Sequence, residues 1–241
     1  MIKAKPYLRE VMIDRDSIED DNIYPFNIPS IRNIDRIEFH EDVTFFVGEN
    51  GTGKSTLIEG IALALGFGIE GGTKNVQMST HDNASILHRH LKLIKSFARP
   101  KDHYFLRAES FYNVASYMEE VNYLGGYGGK SLHESSHGEA FMSALTNKLR
   151  GNGLYVFDEP EAALSPTRQL STLAVMHDLV KKESQIIMAT HSPILLAYPN
   201  AIIYQLSESG IDKVKYEETE HYKVTRHFLQ DYKGMLKELL D

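Results

Sequence analysis

Gly48-Glu49-Asn50-Gly51-Thr52-Gly53-Lys54-Ser55-Thr56 is the stretch that decides how this chain is read. It matches G-x-x-x-x-G-K-[ST], a loop whose backbone cradles phosphate. Residues 43–47 (VTFFV) precede it as a continuous apolar run, the pattern of a strand buried on both faces. Residues 57–65 follow it with apolar side chains at helical spacing. Strand, glycine loop and helix together aim backbone N–H groups and a helix N-terminus at an anion. In that loop Lys54 reaches the β- and γ-phosphates and the Ser55 hydroxyl ligates Mg²⁺. Glu49, Asn50, Gly51, Thr52, Gly53 and Thr56 complete the predicted nucleotide-binding set.

A second apolar run, residues 154–157 (LYVF), ends in Asp158-Glu159-Pro160. Ligands of open α/β sheets collect at the C-terminal ends of such strands. Asp158 is therefore a candidate Mg²⁺ ligand. Glu159 is a candidate base for an attacking water. A third run, residues 186–190 (IIMAT), ends at His191, whose imidazole would donate to a γ-phosphate oxygen or to the water. Further on, Ser135-Ser136-His137-Gly138-Glu139 opens a helical pattern after four glycines in residues 125–129, so Ser136 and Gly138 mark a second phosphate-friendly helix start. A plain helix cap reads the same serines with no ligand.

The remaining features bound the problem. The 241 residues carry a net charge of −7, 42% hydrophobic residues and no cysteine. Thiolate metal sites and disulfides are excluded. Apolar runs fall short of the ~20 residues that span a bilayer, and the N-terminus has no long apolar stretch, so the expected location is the cytoplasm. Tyr24 and Phe26, ahead of the loop, are read either as an adenine platform or as ordinary packing at a turn. Leu87, Leu91 and Ile94 recur at helical spacing, which predicts an amphipathic helix whose basic side carries Arg89, Lys92, Lys95 and Arg99. That basic side is either a solvated face or a docking surface for an anionic partner. His88 and His90, two apart, do not share a helix face and make no zinc pair. Residues 201–206 and 213–216 around Ser209-Gly210 predict an edge hairpin, and a helix is expected around 225–240.

The order of these motifs resembles the ABC-type ATPase cassette, over roughly residues 30–210. Its parts are Walker A, Q-loop, signature, Walker B, D-loop and H-loop. Ser136 lies 23 residues before Glu159, and His191 lies 32 after it, spacings that suit the family. The signature here ends in Glu139 rather than glutamine, which resembles the structural-maintenance-of-chromosomes, Rad50 and RecF branch. The chain is also similar to small stand-alone ATPases described as AAA-family. Ser165 stands where the D-loop usually has aspartate, and the Q-loop counterpart is Gln77 or Glu109, with Glu109 preferred because a good strand precedes it.

The resemblance implies an α/β fold of the P-loop NTPase class. A mostly parallel central sheet would be flanked by helices, with an antiparallel edge and a helical signature sub-domain inserted at about 76–135 of a single domain, 1–241. It implies ATP and Mg²⁺ as ligands, with Lys54, Glu159 and His191 catalytic and Ser55 and Asp158 on the metal. It also implies an ATP-bound homodimer, each nucleotide lying between one chain's Walker A and the other's Ser136 segment. A soluble switch in DNA maintenance or defence follows, with DNA or a protein as further partner and no membrane partner. The alternative is the nucleotide-binding subunit of an ABC transporter. A module that holds ATP without turnover, a simple kinase and a GTPase fit the motif set less well.

Overall fold

The computed structural model describes residues 5–74, 85–120 and 137–240. Five parallel strands and one antiparallel edge strand form the central sheet, in the order β5(Asp102–Arg107), β6(Gly153–Asp158), β7(Gln185–Ala189), β3(Val43–Gly48), β8(Ile202–Ser207), β9(Gly210–Val214). β7 lies between the glycine-loop strand β3 and the Asp-Glu strand β6. The C-terminal ends of β3, β6 and β7 therefore open on the same edge of the sheet. In-register pairs Arg107↔Asp158 and Asp158↔Ala189 keep those ends level.

The sheet is buried on both faces because successive side chains alternate. Phe45, Tyr155, Phe157 and Met188 share one core with α3(Phe111–Glu120), α4(His137–Ser143) and α5(Pro166–Lys181). Phe46, Val156, Ile187 and Ala189 face the other way, onto α2(Lys54–Leu65). This explains why β3, β6 and β7 read as unbroken apolar runs rather than alternating ones.

A separate antiparallel sheet, β2(Arg36–Glu38), β1(Leu8–Ile13), β4(Leu91–Lys95), covers the outside of α2. Leu8, Val11 and Ile13 of β1 join the α2 core. α2 is thus packed between two sheets, which accounts for its lack of a polar face. The helix α1(Pro29–Arg32) precedes β2, and α6(Glu220–Gln230) and α7(Tyr232–Leu240) end the chain.

The helix predicted over Leu87, Leu91 and Ile94 is not formed. Residues 86–90 make a 3₁₀ turn and 91–95 are β4. Leu91 and Leu93 turn inward while Lys92, Ile94 and Lys95 are exposed. The operative period is two, and pairing with β1 satisfies that strand's backbone where a helix could not. Leu87 belongs to the turn, packed against Gly60. The basic residues are partly engaged locally: Lys92 pairs with Asp14 at 2.7 Å, and His90 bonds Ser17 and packs edge-on against Phe26. The stretch 76–135, read as a helical insert, contains strands β4 and β5 and the helix α3 among its described residues, and β5 belongs to the central sheet.

Candidate nucleotide site

The glycine loop is built to leave its backbone open. Gly51 and Gly53 sit at φ +82° and +93°, and a Cβ on Gly51 would meet nothing within 4 Å. Gly48, at the loop's start, lies so close to the Leu206 carbonyl of β8 that no Cβ fits. The buried Ser30 hydroxyl donates to the Thr52 carbonyl and ties the loop to α1. Glu49, Asn50 and Thr52 line a cavity of about 860 Å³ whose far wall comes from β8 and the start of α6, within the usual range for small-molecule pockets.

Lys54 is buried and donates from Nζ to the Glu49 carbonyl at 2.9 Å. Burial pushes its pKa down, opposed by Glu159, Asp158 and Glu49. The ammonium is thus held under the loop, with the acidic cluster behind it. Asp158 ends β6, buried, and burial pushes its carboxyl up to about 6 although Arg107 works the other way. Ser55 hydrogen-bonds this carboxylate. Its Oδ1 is buried with no hydrogen-bond partner. An orphaned buried oxygen beside a serine hydroxyl suits a divalent cation. Among the described residues no group of three or more His, Asp or Glu side chains could hold a metal alone. Mg²⁺ commonly takes one or two protein ligands and completes its shell with phosphate and water, and Ser55 with Asp158 fits that donor set.

Glu159 follows in the left-handed region, φ +49°, with its N–H donating to the Ala189 carbonyl at 3.0 Å. A non-glycine residue in that conformation is held by its surroundings and is common at functional sites. Its Oε1 lies 3.4 Å from His191 Nε2. Lys54, Ser55, Asp158, Glu159 and His191 are therefore brought together from the ends of three adjacent strands.

Gly138 goes elsewhere. It is buried near the start of α4, and a Cβ there would stand 2.9 Å from the Ala163 carbonyl and collide with the Arg168 guanidinium. Glu139 pairs with Arg168 of α5 at 3.5 Å. Ser165 caps α5, its side chain accepting from Arg168 N. Ser136 and Gln77 lie outside the described residues. Glu109, the other Q-loop candidate, is 82% exposed, 3.3 Å from Arg107, and lines a cavity of about 290 Å³ with Ser55, Asp158 and Glu159. Of the two aromatic candidates, Phe26 is wholly buried in the α2 core. Tyr24 is 58% exposed, and its hydroxyl is 3.0 Å from Thr56 Oγ1 in the first turn of α2.

Residues 22–122 match the family model of the AAA domain. That match covers under half of the chain, and it includes the glycine loop, β3 and β5 of the mostly parallel sheet described above. No curated protein matches the chain. Among solved structures the chain is similar to an SMC head domain from Thermotoga maritima, at 16% identity and TM-score 0.47, covering 86% of this chain and 98% of that one. It is also similar to cbiO1 from Clostridium perfringens, described as part of the ABC transporter complex cbiONQ, at 16% identity and TM-score 0.49, covering 86% and 90%. No helix among the described residues is long and apolar enough to cross a membrane.

Three further side chains at the candidate site were not predicted from the sequence. Arg107, at the end of β5, donates to Glu59 of α2 at 2.7 Å and lies 3.7 Å from Asp158. Burial opposes its charge, and Glu59 and Asp158 overcome this to raise its pKa. Glu161 accepts from the His191 backbone N–H and, at 2.7 Å, from the Thr190 hydroxyl, so it holds the turn that carries His191. His221 of α6 meets the His191 ring. Glu161 follows Asp158-Glu159-Pro160 directly, so a further carboxylate beside the site was visible in the sequence, whereas Arg107 meets Asp158 only through the register of β5 on β6. His221 lies past the end of the recognisable motifs and had no signal.

Proposed function

We propose that the chain binds ATP with Mg²⁺ and hydrolyses it, as a dimer that closes on two nucleotides and opens after hydrolysis. The observation that carries the reading is the convergence of Lys54, Ser55, Asp158, Glu159 and His191 at one edge of the sheet. Lys54 neutralises charge on the β- and γ-phosphates. Ser55 and Asp158 hold Mg²⁺, which supplies further charge neutralisation when bound. Glu159 takes a proton from the water that attacks the γ-phosphorus, the bond from that phosphorus to its bridging oxygen breaks, and ADP carries the electron pair away. His191, with Nε2 turned toward Glu159, donates to the γ-phosphate or the water. Tyr24 serves as the adenine platform, since its ring is exposed beside Thr56 while Phe26 is not available. Ser136 of one copy completes the site of the other. DNA maintenance or defence is the process proposed for the switch, with DNA or a protein as its further partner.

Glu159→Gln keeps the shape of the side chain and removes the base. Steady-state phosphate release should fall by about 10²-fold or more. Light scattering of that variant should show monomer mass without nucleotide and dimer mass with Mg-ATP, and Ser136→Arg added to it should return the mass to monomer. A mass that ignores Mg-ATP overturns the dimer switch. Unchanged phosphate release overturns the role of Glu159.

A further inference from the structure

The start of α6 is fastened to the loop that carries His191. Thr219 is buried and caps the helix, accepting from Tyr222 N. Tyr216, just before it, donates to the Pro193 carbonyl at 2.8 Å and packs its ring on Tyr222 at 4.7 Å. These ties bring His221, in the first turn, to His191: Nε2 of His221 is 3.0 Å from Nδ1 of His191, with the rings tilted by 56°.

One proton lies between those two nitrogens, and the surroundings decide which ring owns it. The two outer nitrogens, His191 Nε2 and His221 Nδ1, are both buried with no hydrogen-bond partner. His191 Nε2 faces the Glu159 carboxylate at 3.4 Å. Suppose His191 donates from Nδ1. Its Nε2 then presents a lone pair to a carboxylate, and the neutral His221 is left with a buried N–H on Nδ1 that meets no acceptor. Suppose instead that His221 donates from Nε2. His191 then carries its proton on Nε2, near the Glu159 carboxylate at 3.4 Å, and the group left unpaired on His221 is only a bare acceptor. Orphaned donors are rarer than under-used acceptors, and the tautomer of a histidine is set by what its other nitrogen meets. Both terms favour the second arrangement.

We propose that His221 is a positioning residue: it donates to His191 Nδ1, fixes His191 as the Nε2–H tautomer, and so keeps a proton on the ring nitrogen that lies 3.4 Å from the Glu159 carboxylate. The proposal rests on the hydrolytic reading above. His221 is suited to stay neutral, because burial, then His191 and Lys54, lower its pKa against the opposing Glu49 and Glu220. A helix beyond the recognisable cassette thereby sets the proton of a cassette residue.

The test uses the full chain, ¹⁵N-labelled at histidine, without nucleotide. In the wild type His191 should show a protonated Nε2 and a bare Nδ1. His221→Phe keeps the ring and removes the donor, and His191 should shift toward the Nδ1–H form. Phosphate release should then fall by about 10- to 100-fold in kcat, the scale of losing a residue that orients a ligating histidine, with KM nearly unchanged. His221→Gln, whose amide N–H can donate in place of the imidazole, should recover most of that loss. An unchanged His191 tautomer in His221→Phe overturns the proposal, and so does equal activity of the Phe and Gln variants with the same melting temperature. A wild-type chain that releases no phosphate overturns the hydrolytic reading instead, and the tautomer measurement still decides the role of His221.

Discussion

The turn into α2 and the turn into α4 offer the same vocabulary in sequence, glycine, serine and a helix N-terminus, but their surroundings differ. At α2 the loop follows a strand buried on both faces, and the ends of two neighbouring strands deliver Asp158, Glu159 and His191 beside it. Gly51 is open on its Cβ side. At α4 the glycine faces inward, against the Ala163 carbonyl and Arg168 of its own chain. A glycine therefore says only that a Cβ is unwelcome. Whether a ligand or the protein itself comes close is decided by the strand behind the loop.

The largest contrast should appear in turnover. Lys54→Ala removes the buried cation facing the acidic cluster and should reduce phosphate release by at least about 10²-fold, with little loss of melting temperature, since it also relieves a burial cost. Arg168→Ala beside α4 should leave the phosphate release of an isolated copy within about twofold, because its ion pair with Glu139 is half-exposed. Equal losses in the two variants would break the contrast between the helix starts.

Gly138→Ala should act on stability. Overpacking costs about 1–3 kcal/mol, and the Ala163 carbonyl, as backbone, cannot swing aside. Alanine returns up to ~1 kcal/mol of helix propensity. The net expectation is a loss of about 1–2 kcal/mol in urea unfolding, where m is unchanged. A gain in stability would mean that Gly138 is spare room at a binding surface.

The same contrast explains how much was legible. Strands β3, β6 and β7 could be read because double burial writes an unbroken apolar run, and Asp158, Glu159 and His191 fall at or just past the strand ends, while Lys54 was legible from the glycine loop that follows β3. β4 was misread because Leu87, Leu91 and Ile94 fit a helix while Leu91 and Leu93 fit a strand, and only the need of β1 for a partner chose between them. Arg107 was hidden for a related reason. Its role depends on β5 lying in register with β6, which places it next to Asp158. His221 depends on where a terminal helix returns, which no local pattern encodes.

Asp158 sharpens the comparison through pH. Burial pushes its carboxyl up to about 6 in the fold, from an ordinary value of 3.8. Between those values the native chain holds a proton that the unfolded chain has released. This group's contribution therefore makes the fold less stable as pH rises from about 4 to 6, and constant above. Asp158→Asn removes that titration. Without nucleotide, its melting temperature relative to wild type should be more favourable at pH 7.5 than at pH 5. A difference that does not change with pH would mean that Arg107 already compensates the charge.

The smallest expected effect is at Glu139, the position that carries the likeness to the chromosome-maintenance branch. Glu139→Gln replaces a charge 3.5 Å from Arg168 by an amide that can still accept its hydrogen bond. Both side chains are partly exposed, 59% and 34%, and such pairs contribute about 0–1 kcal/mol. Stability should change by less than ~0.5 kcal/mol. The informative readout is the mass of the Glu159→Gln chain with Mg-ATP. If adding Glu139→Gln leaves the ATP-driven dimer intact, the glutamate is a local pair with α5, and its likeness to that branch says nothing about the partner. If the dimer is lost while the melt is unchanged, α4 reaches across to the second copy through this residue, and the two helix starts are halves of one site after all.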